Sequence, residues 1–138
     1  MELAYKEPAV YRAAPQRITV LLVEDDPEQA ILTRIQVVDG DSPFRLEWKE
    51  DLQAAMDRLR EPGIDVVLLD LGMQEMEGYK THLAIKRVSA TPVVILTSDE
   101  RATSQDLTKT LGATHYLIKQ RASPVDVRRA LWEAVAAP

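Results

Sequence analysis

Four short apolar runs punctuate the chain: Ile18 to Val23, Ile64 to Leu69, Val93 to Leu96 and Tyr116 to Ile118. Each is rich in branched residues and too short for a helix, and both faces read as apolar. That predicts buried strands of a parallel sheet. A fifth strand is expected at Phe44 to Trp48, where Phe44, Leu46 and Trp48 alternate with Arg45 and Glu47. Helical patterns fill the gaps. Asp26 followed by Pro27 reads as a cap and a first-turn proline, after which Ile31, Leu32, Ile35 and Val38 recur on one face until Gly40, the pattern of a core-facing stripe. Leu52, Ala55, Met56 and Leu59 form a second stripe, opened near Asp51 and ended by Pro62-Gly63. A third helix is expected from Tyr79 to Val88 and a fourth from Ala102 to Leu111, stopped by Gly112. The fifth opens on Ser123-Pro124-Val125-Asp126, a capping-box-like start, with Val127, Ala130, Leu131, Ala134 and Val135 inward. Parallel neighbours need right-handed crossovers, so this alternation predicts an α/β fold: a doubly wound, five-stranded parallel sheet with five helices on its two faces.

The chain has 138 residues, enough for one domain that buries roughly two thirds of its unfolded surface. With no cysteine, disulfides and thiolate chemistry are excluded, and with only His82 and His115 a zinc site is not expected. Any metal would be a hard cation on oxygen ligands. Seventeen Lys and Arg against 22 Asp and Glu give a net charge of −5, and the positive residues are scattered among acids, which argues against nucleic-acid binding. No apolar run approaches the ~20 residues of a bilayer span, and the start of the chain lacks a secretory pattern, so a soluble, cytoplasmic protein without a membrane partner is expected. Residues 1–16, with Pro8 and Pro15 and little periodicity, read as an N-terminal arm or linker before a domain covering 17–138.

Open parallel sheets bind ligands at the carboxyl ends of their strands. Here those ends carry Glu24-Asp25-Asp26, Asp70, Thr97-Ser98-Asp99 and Lys119. Singly each has an ordinary role: Asp26 as a helix cap, Asp70 as a turn residue, Thr97-Ser98 as a helix lead-in, Lys119 as a solvated lysine. Together they set acids, a hydroxyl and an ammonium on one rim. Crowded acids repel unless a cation lies among them, and Glu24, Asp25 and Asp70 point to Mg²⁺.

Leu21-Leu22-Val23-Glu24-Asp25-Asp26-Pro27, Val67-Leu68-Leu69-Asp70-Leu71, Val94-Ile95-Leu96-Thr97-Ser98, and Gly112-Ala113 leading to Tyr116-Leu117-Ile118-Lys119 resemble, in order and spacing, the four motif blocks of response-regulator receiver domains of two-component signalling. The resemblance covers about residues 17 to 136. It implies a CheY-like, flavodoxin-like three-layer sandwich. It also implies that Asp70 accepts a phosphoryl group from a histidine kinase or histidine phosphotransfer protein. Asp25 would ligate Mg²⁺ directly, Glu24 through water, and Gly72 through its backbone carbonyl. Thr97 and Lys119 would pair with the phosphoryl group, and Thr97 and Tyr116 would form the switch. The surface of the fourth helix, fifth strand and fifth helix would serve a partner, a fused output module or a second copy of the chain. Arg121, Arg128 and Arg129 could serve an acid-bearing partner or a dimer, but a solvated helix face is the preferred reading.

Two positions depart from the family pattern. Gln120 follows Lys119 where the family commonly has a cis proline; a cis bond to a non-proline residue costs ~2.5–4 kcal/mol, so a trans path is expected. Gln74 stands where proline is frequent. Gly72 and Asp99, at positions that tune phosphate lifetime in the family, imply an ordinary lifetime. Two other readings compete. In a haloacid-dehalogenase-like phosphohydrolase a second acid would follow the nucleophile by two residues, where this chain has Gly72. In a pseudo-receiver scaffold the intact set of Glu24, Asp25, Asp70, Thr97 and Lys119 would be unexpected.

Overall fold

Every strand predicted from the apolar runs forms in the computed structural model, which describes residues 17–39, 42–71, 83–98 and 115–136. The strands are β1 (Ile18–Val23), β2 (Phe44–Lys49), β3 (Val66–Leu71), β4 (Val93–Thr97) and β5 (His115–Ile118). They build one sheet in the order β2-β1-β3-β4-β5, and every pairing is parallel. Between β1 and β3 the strand order reverses direction, which creates the switch point at their carboxyl ends.

Side chains alternate across this sheet and build two cores. Val20, Leu22, Val66, Leu68, Val94 and Leu96 face α1 (Pro27–Val37) and the C-terminal helix (Pro124–Ala136). Leu21, Val23, Val67, Leu69, Val93 and Ile95 face α2 (Leu52–Leu59) and a helical segment over 83–88, which supplies the fully buried Ile85. Burial on both sides explains why the strands read as unbroken apolar runs.

β3 begins at Val66 and not at Ile64. Asp65 delays the start of the strand, because its carboxylate accepts the Thr19 N–H at 2.8 Å while its own N–H donates to the Thr19 carbonyl at 2.9 Å. The helix caps form as the sequence indicates. Asp26 accepts from the Glu28 N–H at 2.9 Å and Asp51 from the Ala54 N–H at 2.8 Å. Ser123 and Asp126 make a reciprocal box: the Ser123 N–H donates to Asp126 Oδ2 at 2.9 Å and the Asp126 N–H to Ser123 Oγ at 3.1 Å. After α2 the chain turns at Gly63, whose φ of +117° a side chain would strain; an added Cβ would also meet the Arg58 guanidinium at 2.9 Å.

α1 corrects the sequence reading. Ile31, Leu32 and Ile35 are 60%, 53% and 60% exposed, whereas Ala30, Thr33 and Val37 are buried. Only three residues, Glu24 to Asp26, link β1 to α1, and both ends of that link are pinned. Asp26 caps the helix, and its N–H donates to Glu24 Oε2 at 3.2 Å. The loop therefore sets the rotation of α1 about its axis, and small residues lie where it meets the sheet. The predicted arm over residues 1–16, the fourth helix at Ala102 to Leu111, and Gly72, Gln74 and Asp99 lie outside the described residues.

Candidate functional site

Sheet register brings the candidate residues together. Val23 pairs with Leu69, so Glu24 and Asp70 follow on neighbouring strands at one level. Asp70 pairs with Leu96 and Leu71 with Thr97, and Thr97 in turn pairs with Ile118, immediately before Lys119. The Lys119 N–H donates to the Thr97 carbonyl at 2.7 Å, which ties the start of the β5 turn to the end of β4.

Lys119 reaches across these strand ends. Its Nζ lies 2.5 Å from Asp70 Oδ2 and 3.5 Å from Glu24 Oε1, with the Asp70 side chain only 1% exposed and that of Lys119 22%. Neither carboxylate oxygen is aligned for a hydrogen bond, so these contacts are ion pairs without direction. Lys119 does donate an aligned hydrogen bond, to Gln29 Oε1 of α1 at 3.1 Å. Thr97 is fully buried at the same rim. Asp25 is exposed at its edge.

The charge balance is uneven. Burial pushes the Glu24 carboxyl up to about 7, helped by the Asp70 carboxylate beside it. The Asp25 carboxyl is also raised, first by hydrogen bonding with Glu24 and then by burial. Burial and the neighbouring carboxylates thus disfavour the charged forms of Glu24 and Asp25, and a further cation at this rim would relieve that cost. Glu24 Oε1 and Asp70 Oδ2, both shut off from water and without a hydrogen bond, suit a hard divalent cation. Among the described residues no group of three or more His, Cys, Asp or Glu is placed to hold a metal ion by itself. Mg²⁺ does not require one, since it usually takes one or two carboxylates and keeps several waters.

Tyr116, three residues before Lys119, is half-buried and packs against the core cluster of Leu21, Val23 and Ile95, with its hydroxyl shut off from solvent. The Lys119–Gln120 peptide is trans. The turn closes through hydrogen bonds from the Arg121 and Ala122 N–H groups to the Ile118 carbonyl, both at 3.0 Å, and the Gln120 amide donates to the Ser98 carbonyl at 2.8 Å. A glutamine side chain thus bridges the β4 and β5 loops where proline is common in the family.

Two polar neighbours of the site went unread in the sequence. Gln29 reads as helix surface, and its partner is 90 positions away. Trp48, at the end of β2, donates its indole N–H to the Glu24 carbonyl at 2.7 Å. A lone tryptophan at a strand end beside an acid-bearing strand was the available signal.

Strand order and site define a class of protein: a doubly wound α/β domain with acids and an ammonium gathered at one switch point. Residues 20–130 match the family model of the response regulator receiver domain, and the chain belongs to that family. It is 34% identical to the transcriptional regulatory protein CpxR of Escherichia coli over 101 residues, covering 72% of this chain and 42% of that protein. Identity to the response regulator protein GraR of Staphylococcus haemolyticus is 29% over 100 residues, covering 72% and 44%. The chain thus spans less than half the length of these relatives. Among solved structures it is similar to the N-terminal domain of a response regulator/sensory box/GGDEF 3-domain protein from Carboxydothermus hydrogenoformans. There the TM-score is 0.69 and the identity 26%, with 86% and 94% of the two chains covered. The Vibrio cholerae chemotaxis protein CheY4 shares the fold, with a TM-score of 0.68 at 23% identity and coverage of 86% and 98%.

Proposed function

We propose that this receiver domain takes a phosphoryl group from the phosphohistidine of a histidine kinase or histidine phosphotransfer protein onto Asp70, and passes the resulting change of surface to a partner or a fused output module. The observation that carries this reading is the buried Asp70 carboxylate paired with Lys119 beside Glu24 at the β1/β3 switch point. An Asp70 oxygen attacks phosphorus in line, the phosphorus–nitrogen bond breaks, and the departing imidazole keeps the electron pair and takes up a proton. Such a loose transfer needs alignment and charge neutralisation more than covalent help. Asp25 and Asp70, with Glu24 through water and the Gly72 carbonyl that the family resemblance adds, would hold Mg²⁺, which would supply positive charge to the phosphoryl oxygens. Lys119 gives up its contact with Asp70 to pair with a phosphoryl oxygen, and the Thr97 hydroxyl donates to another.

The aspartyl phosphate adds ~1.5–2 negative charges at this rim. Movement of Thr97 and Lys119 toward them alters the packing beside Tyr116, and the surface around β5 and the C-terminal helix changes with it. A second copy of the chain is a further partner for that surface. Among the described residues no helix is long and apolar enough to cross a membrane; the proposed phosphotransfer from a kinase would take place in the cytoplasm. Exposure to Mg²⁺ and a small phosphoramidate donor, read by intact mass, tests the reading. Wild type gains one phosphoryl mass, and Asp70→Asn or removal of Mg²⁺ prevents the gain. An Asp70→Asn chain that is labelled like wild type would overturn it.

A further inference from the structure

Lys119 is surrounded by three oxygens that hold it in different ways. The two carboxylates attract it without hydrogen-bond alignment, whereas Gln29 Oε1 accepts an aligned hydrogen bond at 3.1 Å. Direction at this ammonium therefore comes from α1. Gln29 is half-buried in the first turn of a helix whose rotation is fixed by the short Glu24 to Asp26 link, so its amide is brought to the site by the same loop that carries the acids.

The neutrality of Gln29 matters. A carboxylate there would give Lys119 one more charged partner and strengthen its hold, since charge-assisted bonds with both partners ionised are the stronger kind. An amide carbonyl orients the ammonium and still yields it to an incoming dianion. We infer that Gln29 is a positioning residue for phosphoryl transfer: through its side-chain carbonyl it aims Lys119 along the rim. Lys119 then transfers from Asp70 to the phosphoryl group without swinging into solvent. This rests on the phosphoacceptor reading above.

The test is a double-mutant cycle in the full chain, using Gln29→Met, which keeps length and removes the acceptor, with Lys119→Met. Loss of one hydrogen bond to a charged group predicts a phosphorylation rate from phosphoramidate about tenfold slower in Gln29→Met. The urea midpoint and Mg²⁺ affinity should remain close to wild type. In the Lys119→Met background the same substitution should leave the rate unchanged. Equal rates for Gln29→Met and wild type, or losses that multiply in the double variant, would overturn the inference. Nitrogen NMR of labelled lysine decides the matter without any phosphodonor. The Lys119 ammonium should be protected from exchange in wild type and lose protection in Gln29→Met; unchanged protection sinks the positioning role. A wild-type chain that is never labelled at Asp70 would break the functional reading while this arm still judged the Gln29 contact.

Discussion

α1 and the C-terminal helix cover the same face of the sheet, yet three large apolar residues of α1 point to solvent. The C-terminal helix buries Val127, Ala130, Leu131 and Ala134, the face its periodicity predicts. α1 turns Ile31, Leu32 and Ile35 to solvent and packs through Ala30, Thr33 and Val37. The C-terminal helix follows a turn that makes no demand on its rotation beyond its capping box. α1 starts three residues after β1 and must deliver the Asp26 cap and Gln29 to fixed places. A helix tied to a site takes its rotation from the site, and a helix free of one takes it from its apolar stripe.

The largest way to test that contrast is Leu131→Ala, which should lower stability by about 2–5 kcal/mol in urea unfolding, because the site is closely packed and fully buried. On α1 the sensitive position should be the small one. Ala30→Leu is expected to cost about 1–3 kcal/mol by overpacking, whereas Ile31→Ser and Ile35→Ser should each stay within about 0.5 kcal/mol. If Ile35→Ser proved as costly as Leu131→Ala, the two helices would not differ as described.

A local effect lies at the start of the C-terminal helix. Ser123→Ala should cost about 1 kcal/mol. The Ser123 N–H holds the Asp126 carboxyl below its usual range, with Arg129 adding to the effect. Below the ordinary aspartate range the unfolded chain therefore binds more protons at this residue than the folded one. The stabilisation is present above that range and is lost as pH falls through the depressed value. Urea midpoints followed into acid should show this loss in wild type and a shallower one in Asp126→Asn.

Sheet topology was legible because burial on both faces removes polar residues from a strand, as at Val66 to Leu69, and the caps were legible because Asp26, Asp51 and Ser123 each need only local geometry. The acid and lysine positions were legible as strand ends. The rotation of α1 was not, since its sequence carries apolar residues on two faces and only the tertiary link chooses between them. Nor was the Lys119 to Gln29 contact, because nothing local couples residues 90 apart. Arg128 and Arg129 were read as solvated, but both are half-buried, Arg128 donating to the Gln36 carbonyl at 2.7 Å and Arg129 to Asp126 at 3.0 Å. Long side chains of this kind cover apolar surface while their heads find distant acceptors.

The indole of Trp48 has a practical consequence. It is one of two tryptophans in the chain and sits a single hydrogen bond from the backbone of Glu24. A Trp132→Phe chain would carry one native fluorophore, placed beside the acid cluster and half-shielded from water. Its emission would then follow, with no label attached, whether a cation or a phosphoryl group reaches the site as proposed.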